Sequence, residues 1–370
     1  QQKSIDFETT PTLGWLGCLA SRHEGTLGEL DKDIIYYHDM ASGPRLRNVI
    51  QLSLGDVYRD SGRWKDAQRA YDQIVLECTD SGDQVMTAAA RGQRATLHFL
   101  RRDYRAAYEE YHETLEAFTR MGHQREMGKA WHQIGMVHKA VQQPDEAERA
   151  LLHALAIFSR LDYRYGEART RAEFGHLYLQ LEKFELAEQW YKSADNLFRP
   201  LEQWFPLSQL HVNLATALLA QQKFGEAQEA ISSALELGMS EKGEGWKAFS
   251  VQADIHRLTG HLEAAEEARR RAVEALTDYI RQGGAYISRS TRLIEDLRKE
   301  QETSSGWSRA LQQARQDPKA SESFQTLVQR IDTFNVGEPT PPLDGLDLEE
   351  AVALTIYLDQ YQNSGTDEAE

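Results

Sequence analysis

The stretch Trp131-His132-Gln133-Ile134-Gly135-Met136-Val137-His138, followed by Pro144, Ala147, Leu151 and Ala154, decides how this chain folds. Its apolar residues recur at three- and four-residue intervals, which marks one face of a helix, once before Pro144 and once after it. Gln142-Gln143-Pro144 falls between the two helices. Gly135 belongs to a series in which a small residue returns every 40 positions: Gly55, Ala95, Gly135, Gly175 and Ala215. An alanine follows each of them by 12 residues, at Ala67, Ala107, Ala147, Ala187 and Ala227. A sixth pair, Ala253 and Ala265, comes after a 38-residue step. A fixed period of this size marks stacked supersecondary units rather than a globular enzyme core.

Each unit reads as a helical hairpin. Gly or Ala at the first small position lets its two helices approach, because a large side chain would hold them apart. Ala at the second does the same from the other helix. The turns are expected at Ser61-Gly62-Arg63, Gln142-Gln143-Pro144, Leu181-Glu182-Lys183 and Gln221-Gln222-Lys223. One hairpin cannot bury its apolar face alone, so stacked neighbours complete the core.

Three copies carry a further pattern: Leu54-Gly55-x2-Tyr58 with Ala67-x3-Tyr71, Trp131-x2-Ile134-Gly135-x2-His138 with Ala147-x3-Leu151, and Phe174-Gly175-x2-Tyr178 with Ala187-x3-Tyr191. These residues resemble the tetratricopeptide-repeat (TPR) pattern W-x2-L-G-x2-Y followed by A-x3-F. The resemblance runs from about Asn48 to Gln282 over six copies. It implies an all-α fold, a right-handed TPR superhelical solenoid with atypical helical caps. It also implies a role as a peptide sensor or as an arm of a multidomain signalling protein. The familiar unit has about 34 residues, so each copy here carries about six more. They are expected in a longer second helix and in the loop between repeats, as at Asp80-Ser81-Gly82-Asp83. HEAT and armadillo units run near 40 residues, but the paired small positions with an aromatic beyond them suit TPR better. Arg94 and Gln252 stand where Leu is expected, and Arg269 replaces the second-helix aromatic of copy six. Copies two and six are therefore expected to pack less tightly or to meet something other than a neighbouring repeat.

Outside the array, residues 1–47 read as an N-terminal helical cap or degenerate repeat, with helices around Leu13–Leu19 and Leu30–Met40. Residues 48–282 hold the six repeats and residues 283–334 a C-terminal helical cap. Residues 335–345, rich in Pro and Gly, read as a linker. Residues 346–370 read as an acidic amphipathic helix and tail. That helix is either a last cap or a mobile peptide that docks in a groove. After Arg330 there are ten acids and no Lys or Arg, which supply ten of the sixteen net negative charges. Such a balance argues against a nucleic-acid or anionic-membrane surface. No run of apolar residues is long enough to span a membrane. Cys18 and Cys78 are too few and too far apart for a disulfide framework, which favours a reducing, cytoplasmic setting. The chain opens Gln1-Gln2-Lys3 and does not read as a signal peptide. The missing initiator Met leaves two readings open, a trimmed chain or a segment of a larger protein.

Motifs for chemistry are absent. There is no G-x-x-x-x-G-K-[ST], no strand-borne G-x-G-x-x-G, no H-E-x-x-H and no C-x-x-C. Glu173 and His176 make one Glu-x-x-His, where a di-iron bundle needs two and more carboxylates besides. His98, His138 and His256 stand in the place of the first-helix aromatic and are expected to pack with a satisfied ring nitrogen. No catalytic, metal or cofactor site is expected.

What remains is the groove that the first helices line in a TPR array. Counted from Asn48, position six holds Ser53, Gln93, Gln133, Glu173, Asn213 and Val251. An amide row at one height can hydrogen-bond an extended peptide, since Asn and Gln both donate and accept. The resemblance implies that role for Asn213 in particular. Position two adds Lys129, Arg169, Gln209 and Lys247, position five His132, and position nine Met136 and His176. The centre is basic and polar, suited to a peptide with an acidic centre or a free carboxylate. The carboxylate clamp of chaperone-binding TPR proteins is not reproduced. The chain is expected to be a non-catalytic protein- or peptide-binding scaffold or sensor in a cytoplasmic, bacterial signalling or regulatory complex. The alternative is a regulatory or inhibitory subunit, or the sensor segment of a larger effector such as a protease or nucleotide-driven switch, with the acidic C-terminal tail as its interaction element. Oligomeric state is not legible.

Overall fold

The computed structural model describes residues 30–41, 43–238, 244–281, 314–316, 320–335, 342–343 and 345–364. The expected helices near 13–19, 285–300 and 306–313, Cys18, most of the 335–345 linker and the tail after Ser364 lie outside the described residues. The chain divides into two compact units, Gln1–Gly238 and Met239–Glu370.

In the first unit every described element is a helix. α1 spans Leu30–Met40. Five hairpins follow: α2 (Pro44–Asp60) with α3 (Trp64–Ser81), α4 (Gln84–Leu100) with α5 (Tyr104–Met121), α6 (Gln124–Ala140) with α7 (Pro144–Arg160), α8 (Arg164–Gln180) with α9 (Phe184–Phe198), and α10 (Trp204–Ala220) with α11 (Phe224–Glu236). Each helix packs on the next. First helices of successive repeats also touch, α2 with α4, α6 with α8 and α8 with α10. The first helices thus form the tighter side of the array. The six additional residues per repeat lengthen both helices. α3 runs through Ser81, so the inter-repeat loop expected at Asp80–Asp83 shrinks to Gly82 and Asp83.

The two small positions act as the spacing predicts. Ala67, Ala107, Ala147, Ala187 and Ala227 are all fully buried. Gly55, Gly135 and Gly175 face the side chains of Tyr71, Leu151 and Tyr191, each 16 residues later. A Cβ on Gly175 would sit 2.5 Å from Tyr191 Cε1. The missing side chain of the first helix therefore makes room for the aromatic of the second.

The turns repeat as strictly as the helices. Each hairpin closes on one residue in the left-handed region: Gly62, Arg102, Gln142, Glu182 and Gln222. The amide of the next residue reaches the carbonyl five back, as in Gln143 N to His138 O at 2.9 Å and Lys183 N to Tyr178 O at 2.9 Å. This is the Schellman closure of a helix C-terminus. Gly82, Gly122, Asp162 and Glu202 have the same conformation between repeats. Asp83 and Asp103 cap the helices that follow by accepting from Met86 N and Ala106 N.

In copy two the small positions Ala95 and Ala107 are fully buried, as in its neighbours. Its Arg94 meets two carboxylates, Asp72 of the preceding repeat and Glu110 of its own second helix, each at 2.6 Å.

The second unit holds the sixth hairpin, α12 (Gly245–Leu258) with α13 (Leu262–Arg281), followed by α14 (Glu322–Asn335) and α15 (Leu348–Ser364). Here Ala253 is only half-buried. α13 and α14 both pack on α15. The core joins Val273 and Leu276 with Phe324, Leu327, Val328, Ile331, Leu354 and Tyr357. Arg269 donates to the carbonyls of Leu343 and Leu346, just ahead of α15. The residue that breaks the repeat pattern is therefore one of those that hold the C-terminal segment, with Ser323 and Arg330. α15 departs from the expected amphipathic helix: Ala351, Val352, Ala353 and Leu354 are all fully buried. Four successive buried residues span the full turn of a helix, so α15 is enclosed on several sides. Its apolar residues lie in the core of its own unit.

Candidate functional site

The sequence-derived groove residues separate into two clusters on the first helices, plus a few single residues. The larger cluster joins α6, α8 and α10. Lys139 donates to Glu173, 34 residues later. His176 places Nδ1 3.4 Å from Glu173 Oε1, and its Nε2 accepts from Asn213 Nδ2 at 2.9 Å. Burial alone would raise the Glu173 pKa, but Lys139 and then His176 offset it and hold the carboxyl well below its usual range. Glu173, its side chain 13% exposed, is thus a carboxylate whose charge is matched inside the array.

His132 lies beside this cluster and is 5% exposed. Its Nδ1 is 3.1 Å from Thr170 Oγ1, whose own proton goes to Gly166 O at 2.8 Å. Thr170 must therefore accept from His132, which fixes the proton on Nδ1 and leaves Nε2 as a bare acceptor. Nε2 has no hydrogen-bond partner. Burial first, then the Arg169 charge, lowers the His132 pKa from the usual 6.5 to about 4. The ring is neutral at physiological pH.

The smaller cluster lies on α4 and α6. Gln93, Lys129 and Gln133 line one cavity of about 180 Å³, together with Tyr111, Thr114 and Phe118 of α5. Gln93 accepts from Arg59 of the preceding repeat at 2.9 Å, and Arg59 also binds Asp56. Lys129 is half-exposed and pairs with Glu126 at 3.0 Å. Gln133 is half-buried and makes no side-chain hydrogen bond among the described residues.

The remaining residues stand apart. Arg169 is exposed and makes no ion pair among the described residues, and Met136 and Gln209 are half-buried. Lys247 lies in the second unit and binds Glu244 at 2.6 Å. The position-six row is therefore not a free amide ladder. Gln93, Glu173 and Asn213 are bonded to residues of the preceding repeat. Sequence reasoning missed their partners Arg59 and Lys139, which both stand at position twelve. A charge at position twelve followed 34 residues later by a polar group at position six was the available signal.

His138 packs as expected, with Nδ1 2.8 Å from Gln143 Oε1 and its ring against Tyr108. His98 departs from expectation: its Nδ1 is buried without a hydrogen bond, 3.8 Å from Asp103 Oδ2. No helix among the described residues is long and apolar enough to cross a membrane.

A family model described as tetratricopeptide repeat matches residues 126–199, which contain the Lys139–Glu173 pair. The Tonsoku-like protein of Drosophila melanogaster is 25% identical over 171 residues, 41% of this chain and 12% of that protein. The chain thus matches only a small part of that relative. Among solved structures, a Rap protein complexed with competence and sporulation factor is similar over 99% of both chains, with 14% identity and a TM-score of 0.54. A signal-transduction ATPase with numerous domains and a tetratricopeptide-repeat sensor, from Pyrococcus horikoshii, is similar over 74% of this chain and 43% of its own. Its identity is 14% and its TM-score 0.56. At such identities the likeness is one of fold. Residues 126–199 thus match the tetratricopeptide repeat, and the paired helices around them continue the same fold in a 40-residue form.

Proposed function

We propose that this chain is a non-catalytic protein- or peptide-recognition array of a cytoplasmic signalling or regulatory complex, and that it takes an extended segment along the face of its first helices. The observation that carries this reading is the cavity lined by Gln93, Lys129 and Gln133 on the tighter side of the array. Gln133 retains an unused amide, and the exposed Lys129 and Arg169 stand 40 residues apart at one height of successive repeats. A segment with an acidic centre or a free carboxylate would pair with those two cations. Met136, His176, Gln209 and Asn213 extend the same face. Neighbour-only contacts let small rotations add along a solenoid, so capture of a segment can be passed to an attached effector.

The second reading, a regulatory subunit acting through its acidic tail, has to work without the apolar side of α15, which is used in the core of its own unit. It rests on Asp367, Glu368 and Glu370, outside the described residues.

A displayed random-peptide library, selected on the intact chain, tests the first reading. Selected peptides are expected to lose binding to a Lys129→Glu/Gln133→Ala/Asn213→Ala variant of unchanged helicity. Equal binding to both would move recognition off this face.

A further inference from the structure

Around the turns before α6 and α8 the chain concentrates positive charge that the repeat pattern does not require. Arg120, Arg125, Arg160 and Arg169 are exposed and make no ion pair among the described residues, in a chain of net charge −16. The acids near them in sequence are already engaged: Glu126 with Lys129, Asp162 with Arg164, Glu167 with Arg171 and Glu173 with Lys139. The charge is confined to the middle repeats. Positions 40 residues before Arg120, Arg125 and Lys129 hold Asp80, Val85 and Ala89. Those 40 residues after Arg160 and Arg169 hold Pro200 and Gln209.

Arg125 and Arg160 are neighbours in space. Arg160 Nη2 lies 3.4 Å from Oε1 of Gln124, the residue before Arg125. The Arg125 guanidinium lies over the ring of Tyr163, 5.0 Å from its centre, and Tyr163 stands three residues after Arg160. A guanidinium stacked on a ring is held in place while the N–H donors at its edge stay free, and that fork matches a carboxylate. Lys129 stands four residues after Arg125, so the two share one face of α6. Arg169 holds the place of Lys129 one repeat later. The cations thus form a strip that runs from the turns onto the first-helix face. Like charges gathered this way repel one another, and an acidic ligand turns that cost into a gain.

We propose that this strip is the docking surface for an acidic run in the bound partner, a stretch with several Asp or Glu side chains that crosses the turns before α6 and α8 and leads its segment onto the first-helix face. Clustered arginines are a recurring means of recognising acidic motifs. The proposal rests on that face as the recognition surface and names the partner's chemistry and its point of entry.

The probe is a labelled peptide of alternating Glu and Ser, with Gln in place of Glu as its control, titrated into the full chain and followed by fluorescence anisotropy. Saturable binding of the Glu peptide is expected, weakening as salt is raised, with none for the Gln peptide. Arg125→Glu/Arg160→Glu should lower affinity about tenfold or more, the size of several exposed ion pairs lost. Arg101→Glu/Arg102→Glu changes the net charge equally at exposed arginines of a different turn, and should leave affinity within about twofold. An oligothymidylate of matching charge should bind no better than the Glu peptide. Absence of saturable binding, an equal loss in both arginine pairs, or tighter binding of the oligonucleotide would each overturn the proposal. Peptides selected from the displayed library separate it from the broader reading. If they lose binding to the Lys129/Gln133/Asn213 variant but keep it in Arg125→Glu/Arg160→Glu, the face recognises peptides and the acidic docking strip fails.

Discussion

Lys139, on the first helix of the third repeat, donates to the partly exposed carboxylate of Glu173, on the first helix of the fourth. The contact joins neighbouring repeats across the face assigned to recognition, so it ties stability to the candidate site. Removing one partner of a buried pair typically costs about 3–5 kcal/mol, because a charge is left unmatched. With both side chains keeping some solvent contact, Lys139→Met is expected to lower stability by the low end of that range or less in urea unfolding. Lys139→Met/Glu173→Leu should recover most of it. A loss in the single variant no larger than for an exposed pair such as Arg105–Glu109 would show that Glu173 does not need its partner.

His132 sets a pH window. Its folded pKa is about 4, below the usual 6.5, so the unfolded chain binds a proton between these values and the folded chain does not. Its contribution is fully present above 6.5 and is lost as pH falls toward 4, at no more than about 1.4 kcal/mol per unit. Glu173, with a depressed carboxyl pKa, adds a loss only below the ordinary carboxylate range. His132→Gln should flatten the stability profile between pH 6.5 and 4 and leave the more acidic limb in place. An unchanged slope in that variant would assign it to other groups.

Gly175 faces Tyr191 too closely for a side chain. Gly175→Ala is expected to cost about 1–3 kcal/mol, the usual range for overpacking. Gly225, with open space around its Cβ position, serves as the control. Gly225→Ala should be neutral or slightly stabilising in the same melting experiment.

The left-handed residues at Gln142 and Glu182 have side chains and make the same turn that Gly62 makes without one. The left-handed conformation costs a side-chain-bearing residue about 1–2 kcal/mol, and glycine returns part of that through unfolded-state entropy. Gln142→Gly and Glu182→Gly are each expected to raise stability by roughly 0.5–1 kcal/mol. A loss in either would show that the side chain contributes more than the backbone strain costs.

Arg269 holds the segment before α15 through two carbonyls. Arg269→Ala should speed hydrogen exchange across Leu346–Tyr357 and leave α6–α9 of the other unit unchanged. Equal protection in both proteins would mean that the apolar core and the bonds of Ser323 and Arg330 seat α15 without Arg269.

Much of this fold is legible in the sequence, because one physical demand recurs. Helices that pack closely need small residues where they cross, and a strict period puts those residues at Gly55 through Ala227. The turns are harder to read. Arg102, Gln142 and Glu182 adopt a backbone state that local sequence assigns to glycine, and the helix packing on both sides imposes it. The acidic composition around α15 suggests a helix with one wet face. Only the structure shows that Ala351, Val352, Ala353 and Leu354 are enclosed together, because the elements that enclose them, α13 and α14, are distant in sequence.

The residues of the proposed recognition face can be counted out from the sequence, but their bonding cannot. Counting along the first helices finds Gln93, Gln133, Glu173 and Asn213. It does not show that three of them are bonded to the repeat before. Two of those bonds depend on which side chains of position twelve are long and charged, which the repeat pattern does not constrain, and the third comes from His176 at position nine.

The central claim is that recognition happens on the first-helix face. A photo-crosslinking amino acid placed at Gln133, and separately at Arg105 on the exposed side of the second helix α5, tests it most directly in extract of the source cells. The account predicts a defined crosslinked partner from position 133 and none from position 105. Crosslinks from position 105 alone, with position 133 silent, would contradict it.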